Sequence, residues 1–161
     1  MSFDPPTFRT ALGCFATGIT VVTAVAPDGQ LLGLTANSFS SVSLDPPLVL
    51  FSLDRQAYSF EIFLAVEHFA VNVLGHDQRH LSDAFSRPGG PKWDGVRHGR
   101  GAAGCPLLAG ALATFECRTR HTYPGGDHVI FVGEVTDVRG DPSGEPLVYY
   151  RGAYRGLDRT S

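Results

Sequence analysis

The sequence predicts a mainly β fold in which an antiparallel sheet closes on itself, with two or three short helices around it. Three observations carry this. The apolar runs are strand-sized and rich in β-branched residues, Gly/Pro/Asp clusters separate them at hairpin spacing, and only short stretches show a helical repeat. Many strands joined by hairpins bury their apolar faces by closing or by packing two layers.

Taken in order, Asp4 with Pro5 and Pro6, or Thr7, can start a first helix. Phe8, Leu12 and Phe15 fall at i, i+4, i+7, and Gly18 is a plausible stop. Ile19 to Ala26 reads as a strand, and Pro27-Asp28-Gly29 turns it back into a second strand from Gln30 to Ala36. Leu48 to Leu53 fits a buried strand. Tyr58 to Val66 places Phe60, Phe63 and Leu64 on one helical face, with Ser59 near its start. Phe69 to Leu74 is another buried strand, and Asp77 can cap a short helix in which Leu81 and Phe85 share a face. Ser86 to Gly104 is glycine-rich and aperiodic, a long loop of the kind that serves as a lid or binding loop. Ala111 to Tyr123 and Val129 to Arg139 form a second hairpin around Pro124-Gly125-Gly126-Asp127-His128. Asp141-Pro142-Ser143-Gly144 then turns the chain into Leu147-Val148-Tyr149-Tyr150.

The chain has 161 residues, a length that suits one domain over 1–161. Hydrophobic content of 43% with 18% charged argues against disorder. With net charge −3 and Lys92 as its only lysine, the sequence offers no basic patch for nucleic acid or an anionic membrane. The start, Met1 to Pro6, lacks a signal-peptide pattern, and no apolar run is long enough for a spanning helix, so a cytoplasmic protein is expected. Cys14, Cys105 and Cys117 form neither a disulfide framework nor a zinc pattern. His76 and His80 could share a helix face, but no third ligand follows at a metal-site spacing.

The chemistry concentrates in Leu34-Thr35-Ala36-Asn37-Ser38-Phe39-Ser40-Ser41-Val42-Ser43-Leu44-Asp45-Pro46-Pro47. Its hydroxyls and one amide can hydrogen-bond an uncharged polar ligand, and they can equally bond their own backbone in a Ser-rich loop between two strands. Gly126-Asp127-His128 poses the same choice between a ligand contact and a finished hairpin.

Gly18-Ile19-Thr20-Val21-Val22-Thr23 and Thr35 through Pro47 resemble the flavin reductase family of FMN-binding split barrels. So do Phe69-Ala70-Val71-Asn72-Val73-Leu74, Gly126-Asp127-His128 and Pro146-Leu147-Val148-Tyr149-Tyr150-Arg151-Gly152. These five motifs lie in the family's order between about Phe8 and Leu157. The resemblance implies a six-stranded antiparallel Greek-key split barrel and an NAD(P)H:flavin oxidoreductase. Such an enzyme reduces FMN or FAD with NADH or NADPH and supplies reduced flavin to a partner monooxygenase, as a homodimer. Hydride passes from nicotinamide C4 to flavin N5, and the flavin carries the difficult electronics, so no catalytic triad is required.

By the same resemblance, Thr35, Ala36, Asn37 and Ser38 meet the ribityl chain and ring edge, and Ser52 and Leu53 offer backbone groups to the ring. Ser59 meets the phosphate. Ala57 stands where family members often have Ser, which leaves Arg55, Arg87 or Lys92 to strengthen the phosphate grip. His128 lies over the exposed face of the flavin and helps place the nicotinamide. Phe85, Asp127 and Tyr154 complete the expected cofactor contacts, with Tyr149 and Tyr154 bordering the nicotinamide. Two other readings remain: a tight flavin-binding electron carrier that does not need His128, and a split barrel that has lost flavin and serves as an interaction domain.

Overall fold

Asp4 caps the first helix as its sequence position implies. In the computed structural model, which describes residues 2–141 and 143–157, Asp4 Oδ1 accepts the Thr7 N–H at 2.8 Å. Helix α1 (Pro5–Leu12) then follows with proline at its first turn. It stops at Gly13 instead of Gly18. Helix stability comes chiefly from packing an apolar face, and here Phe8, Leu12 and Phe15 find no core and stay exposed. The Gly13 carbonyl accepts the Arg151 N–H at 3.0 Å, which turns the chain into β1 (Thr17–Gly18).

The first hairpin forms as expected from β2 (Thr20–Val25) and β3 (Leu31–Ala36), with the Gln30 N–H bound to Asp28 Oδ1 at 3.0 Å in the turn. The Ser-rich stretch is a loop only in part. Ser40–Leu44 forms strand β4, which pairs with β5 (Pro47–Asp54) through a turn at Asp45–Pro46. Serines are poor strand formers, so β4 owes its shape to the ladder it shares with the apolar β5. Next come α2 (Phe60–Ala65), β6 (His68–Val73), a 3-10 turn at His76–Gln78, and α3 (Arg79–Ser86). Asp77 does not cap that segment. Gln78 is long enough to reach back, and its Oε1 accepts the Gly75 N–H at 3.0 Å.

The segment expected as one long loop contains β7 (His98–Arg100), paired with β8 (Pro106–Leu108). The chain closes with β9 (Ala113–Gly125), β10 (His128–Gly140), β11 (Val148–Tyr150) and β12 (Ala153–Arg155). In the turn before β11, Asp141 Oδ1 accepts from the Ser143 N–H at 2.9 Å; Pro142 lies outside the described residues.

Every pairing between these strands is antiparallel, and the main sheet runs β3-β2-β6-β9-β10-β5-β4. It therefore holds seven strands where six are expected, the extra one being the edge strand β4. A side chain closes the barrel where no ladder does. Ser38 Oγ, just beyond β3, accepts the Ser52 N–H at 2.9 Å and donates to the Ser52 carbonyl at 3.2 Å on β5. Inside, Phe51 stacks on Phe131 at 5.0 Å and meets Phe63 and Phe69 edge-on.

Strand β2 is buried on both faces: Val22 and Ala24 belong to the barrel core, while Ile19 just before it and Val21 pack under α3 with Leu81 and Phe85. Helix α3 thus sits against the first hairpin, outside the barrel. Asn72 fastens β8 across this region, donating to the Val21 carbonyl at 3.0 Å and accepting the Leu108 N–H at 2.8 Å.

No helix among the described residues is long and apolar enough to cross a membrane. The three cysteines are free. Burial pushes the Cys105 thiol up to about 11 and the Cys117 thiol up to about 12, so both stay protonated and unreactive at neutral pH. A thiol-reactive chromophore should therefore label at most one cysteine, the exposed Cys14, in the folded protein and all three in denaturant. Labelling of two or more before unfolding would contradict this core.

Candidate active-site cleft

The barrel is split where β3 and the end of β5 face each other without a ladder. Among the described residues, strand β3 has a neighbour only on its β2 side. Along an antiparallel strand the backbone groups of successive residues point to opposite sides. The Ala26 N–H bonds the Gln30 carbonyl on the β2 side, so Leu31, Gly33 and Thr35 direct theirs off the open edge. The Trp93 indole N–H takes up one of them, donating to the Leu31 carbonyl at 3.0 Å. The edge beyond it borders a cleft of about 690 Å³.

Thr35, Ala36, Asn37 and Ser38 line this cleft from β3 and its corner, and Ser52, Leu53 and Ser59 line it from β5 and the start of α2. Phe85, Lys92 and His128 complete the set that the sequence analysis brings to this cleft.

Their roles differ from one another. The Asn37 amide is exposed and has no partner among the described residues, so it is free for a ligand. The Ser38 hydroxyl is spent on closing the barrel. Thr35 Oγ1 donates to the Ser82 carbonyl at 2.7 Å, which ties α3 to β3 and leaves its lone pairs for a ligand. Ser59 precedes α2 without a side-chain cap bond. Burial pulls the Lys92 ammonium below its ordinary value.

His128 opens β10 at the rim of the cleft, opposite Asp54 in the ladder. The tight turn before it needs a positive φ at its first central residue, and Gly126 supplies one of +75°. Arg55 fastens this turn to the end of β5, its backbone N–H donating to the Asp127 carbonyl at 3.0 Å and its Nε–H to the Gly126 carbonyl at 3.2 Å. Arg55 is therefore a brace of the turn and does not line the cleft. Asp127 points its carboxylate at the His128 ring, with Oδ1 2.7 Å from Nδ1. That bond, with the imidazole charge beside it, holds the Asp127 carboxyl below its ordinary range. Asp127 thus orients His128 and does not line the cleft itself.

Tyr154 is likewise not among the lining residues. Its hydroxyl sits behind α3, 2.8 Å from Ser82 Oγ and 3.0 Å from Asp83 Oδ1, with the Arg79 guanidinium 4.9 Å over its ring. Tyr149 packs edge-on against it at 5.5 Å.

Gly33 and Trp93 also line the cleft, and neither is singled out by its sequence context. Trp93 packs edge-on against Phe85 at 4.8 Å and holds the start of the 86–97 segment against β3. Its position in an aperiodic stretch gives no signal, although a lone tryptophan among glycines and prolines is itself a hint of an anchor.

The arrangement offers uncharged donors and backbone groups on one wall, apolar surface from the half-buried Leu31, Leu34 and Trp93 over the buried Leu53 and Phe85, and an oriented imidazole at the rim. Such a cleft suits a flat, polar-edged ring.

Comparison with known proteins gives a consistent result. The family model for the flavin reductase like domain matches residues 12–158. The chain is 44% identical over 152 residues to the stachydrine N-demethylase reductase subunit Stc3 of Rhizobium meliloti, covering 94% of this chain and 66% of that protein. It therefore spans just under two thirds of Stc3. It is 45% identical over 152 residues to the FMN reductase (NADH) SmoA of Agrobacterium fabrum, covering 94% of this chain and 86% of that protein. Among solved structures, the NADH:FAD oxidoreductase SgcE6 of Streptomyces globisporus, in complex with NAD and FAD fragments, superposes with a TM-score of 0.93 at 38% identity. That match covers 98% of this chain and 95% of the other.

Proposed function

The chain belongs to the flavin reductase-like family, and on that premise we propose that it is an NAD(P)H-dependent flavin reductase. It takes FMN or FAD with NADH or NADPH and hands reduced flavin to a partner monooxygenase. The observation that carries this is the meeting of the Asn37–Ser38 corner and His128 on one cleft.

The residues present fit the group. Small-molecule clefts hold about 300–1,000 Å³, and this one measures about 690 Å³. When bound, flavin supplies the hydride-accepting ring and its redox chemistry. The chain's part is to bind and orient. The free Asn37 amide and the outward backbone groups of Gly33 and Thr35 hydrogen-bond the polar edge of the ring, where negative charge grows on reduction. Leu31, Leu34 and Trp93 give apolar contact, with Leu53 and Phe85 buried behind them. Ser59, Arg87 and Lys92 hold the phosphate, and Lys92 regains charge stabilisation there that burial removes. His128, kept in one orientation by Asp127, covers the open face and aligns the nicotinamide over it. Tyr154 supports the site from behind α3.

The reading extends to the assembly. Residues 1–161 form a single domain, and two copies associate. Support for the second copy comes from Phe8 and Leu12 on α1 and Phe15 just beyond it, exposed by 50%, 58% and 77%. Sedimentation equilibrium should give twice 17.3 kDa; a species of the single-chain mass at micromolar concentration would contradict the dimer. A cytoplasmic location suits an enzyme that draws on nicotinamide and flavin pools and keeps its cysteines free. The subunit name of Stc3 supports delivery of reduced flavin to a partner.

The test is direct. NADH or NADPH added anaerobically to the protein with FMN or FAD should bleach the visible flavin band catalytically. Absence of bleaching with both nicotinamides and both flavins would overturn the assignment.

A further inference from the structure

Lys92 is the only lysine in the sequence. It lies between α3 and β7, where it lines the inner cleft, the one beside β3. On the far side of the same segment it borders an outer cleft of about 640 Å³. Its backbone is held in place. The Lys92 N–H donates to the Gly90 carbonyl at 2.9 Å, and the next residue, Trp93, is bonded to Leu31 on β3. The approach to its side chain is bare. Gly89 and Gly90 precede it, and nothing stands within 4 Å of where a side chain on either would begin.

Two features separate this ammonium from a solvated surface lysine. It is half-buried, and among the described residues it makes no hydrogen bond or ion pair, although Asp94 lines the same clefts. Burial without a partner disfavours the charged form, and it draws the Lys92 ammonium below its ordinary value. More of the side chain is then neutral amine at a given pH, the form that attacks a carbonyl carbon. A holder for an anion lies beside it. Arg87 lines both clefts with Lys92, and the Ser59 hydroxyl lines the inner one.

We propose that Lys92 is a covalent modification site for aromatic aldehydes that carry a phosphate and enter the inner cleft. The Lys92 Nζ lone pair adds to the aldehyde carbon, the carbonyl oxygen leaves as water, and an imine joins protein to ligand. No electrons are exchanged, and water reverses the step. Arg87 and Ser59 hold the phosphate, and the half-buried Leu31, Leu34 and Trp93 take the ring. The proposal goes beyond the flavin reductase reading and shares only its phosphate grip. An imine at Lys92 fills the space that flavin needs, so such an aldehyde acts as a reversible block on flavin entry.

The probe is pyridoxal 5′-phosphate. Incubation with the intact chain, reduction of the imine with borohydride and peptide mapping should place one adduct on Lys92. Pyridoxal, which lacks the phosphate, should need about tenfold higher concentration, the loss of one charge-assisted contact. Arg87→Ala should raise the requirement for the phosphate ester by a similar factor, and Lys92→Arg, which keeps the charge and removes the nucleophile, should abolish the adduct. FMN bound to the protein, as its quenched fluorescence reports, should slow the labelling. Several results would overturn the site: an adduct confined to the N-terminal amine, equal labelling by pyridoxal and its phosphate, a Lys92 imine no more stable than that of Nα-acetyl-lysine, or unchanged labelling of the FMN-loaded protein. Bleaching of FMN by NADH reports separately on the reductase reading, so the two failures are distinguishable.

Discussion

Replacing His128 by alanine should lower kcat/KM for the nicotinamide donor about 100-fold, the scale of losing alignment between two reactants, while flavin still binds. The imidazole sits at the rim with 42% of its side chain exposed, so its removal opens no core cavity. It is held from both sides: Arg55 fixes the turn, and Asp127 fixes the ring at 2.7 Å. Asp127→Asn should cost less, because an amide keeps the shape and one acceptor. The pH dependence follows from the direction of the Asp127 shift. Its folded-state carboxyl lies below the ordinary value of 3.8, so the hold on His128 is present above that value and is lost as pH falls through the lower one. Steady-state rates with fluorescence titration of flavin check all of this. Unchanged turnover in His128→Ala would remove the nicotinamide role, and an equal loss of flavin affinity would move His128 into the flavin grip.

Gly33→Val should destabilise the protein by about 3 kcal/mol, the upper end for overpacking, and weaken flavin binding in the material that still folds. Gly33 lies mid-strand with an ordinary extended backbone, so its glycine is needed for space. A Cβ there would stand 2.5 Å from Phe85 Cε1 and 3.2 Å from Trp93 Cζ2. Phe85 is buried to 1% exposure and Trp93 is bonded to Leu31, so neither ring has an easy retreat. Relief must come by moving α3 or the 86–97 segment away from β3, and that segment carries Lys92 and Trp93 to the cleft. Urea denaturation measures the first effect and flavin titration the second. A variant with wild-type midpoint and affinity would mean that the wall is far more compliant than its packing implies.

The hairpins were readable because their signals are local. Pro27-Asp28-Gly29 and Gly125-Gly126-Asp127 can hardly do anything but turn, and the β-branched runs between them have the length and pattern of strands. The first half of the candidate site came from the family resemblance: taken alone, Asn37 and Ser38 are equally a Ser-rich loop, and only the resemblance singles out Ser52 and Leu53, which line the same cleft. What the sequence hides is decided by distant partners. Ser40–Leu44 has no strand signal of its own and becomes β4 only because β5 offers an edge. The first helix stops early because its apolar stripe has nothing to cover it within one chain. Tyr154 looks like a site residue by position, yet its hydroxyl is directed to Ser82 and Asp83 behind α3. Gly33 carries no signal in the sequence, and only the approach of Phe85 and Trp93 shows why a glycine is there.

In the proposed reading, the corner after β3 and the start of β10 are two jaws that close around one ring. A crystal structure of the protein with FMN bound tests this most directly. The account predicts the isoalloxazine in the inner cleft, its polar edge at Asn37 and the open edge of β3, and its exposed face beneath His128. Density for the ring anywhere else, the outer cleft included, would contradict it.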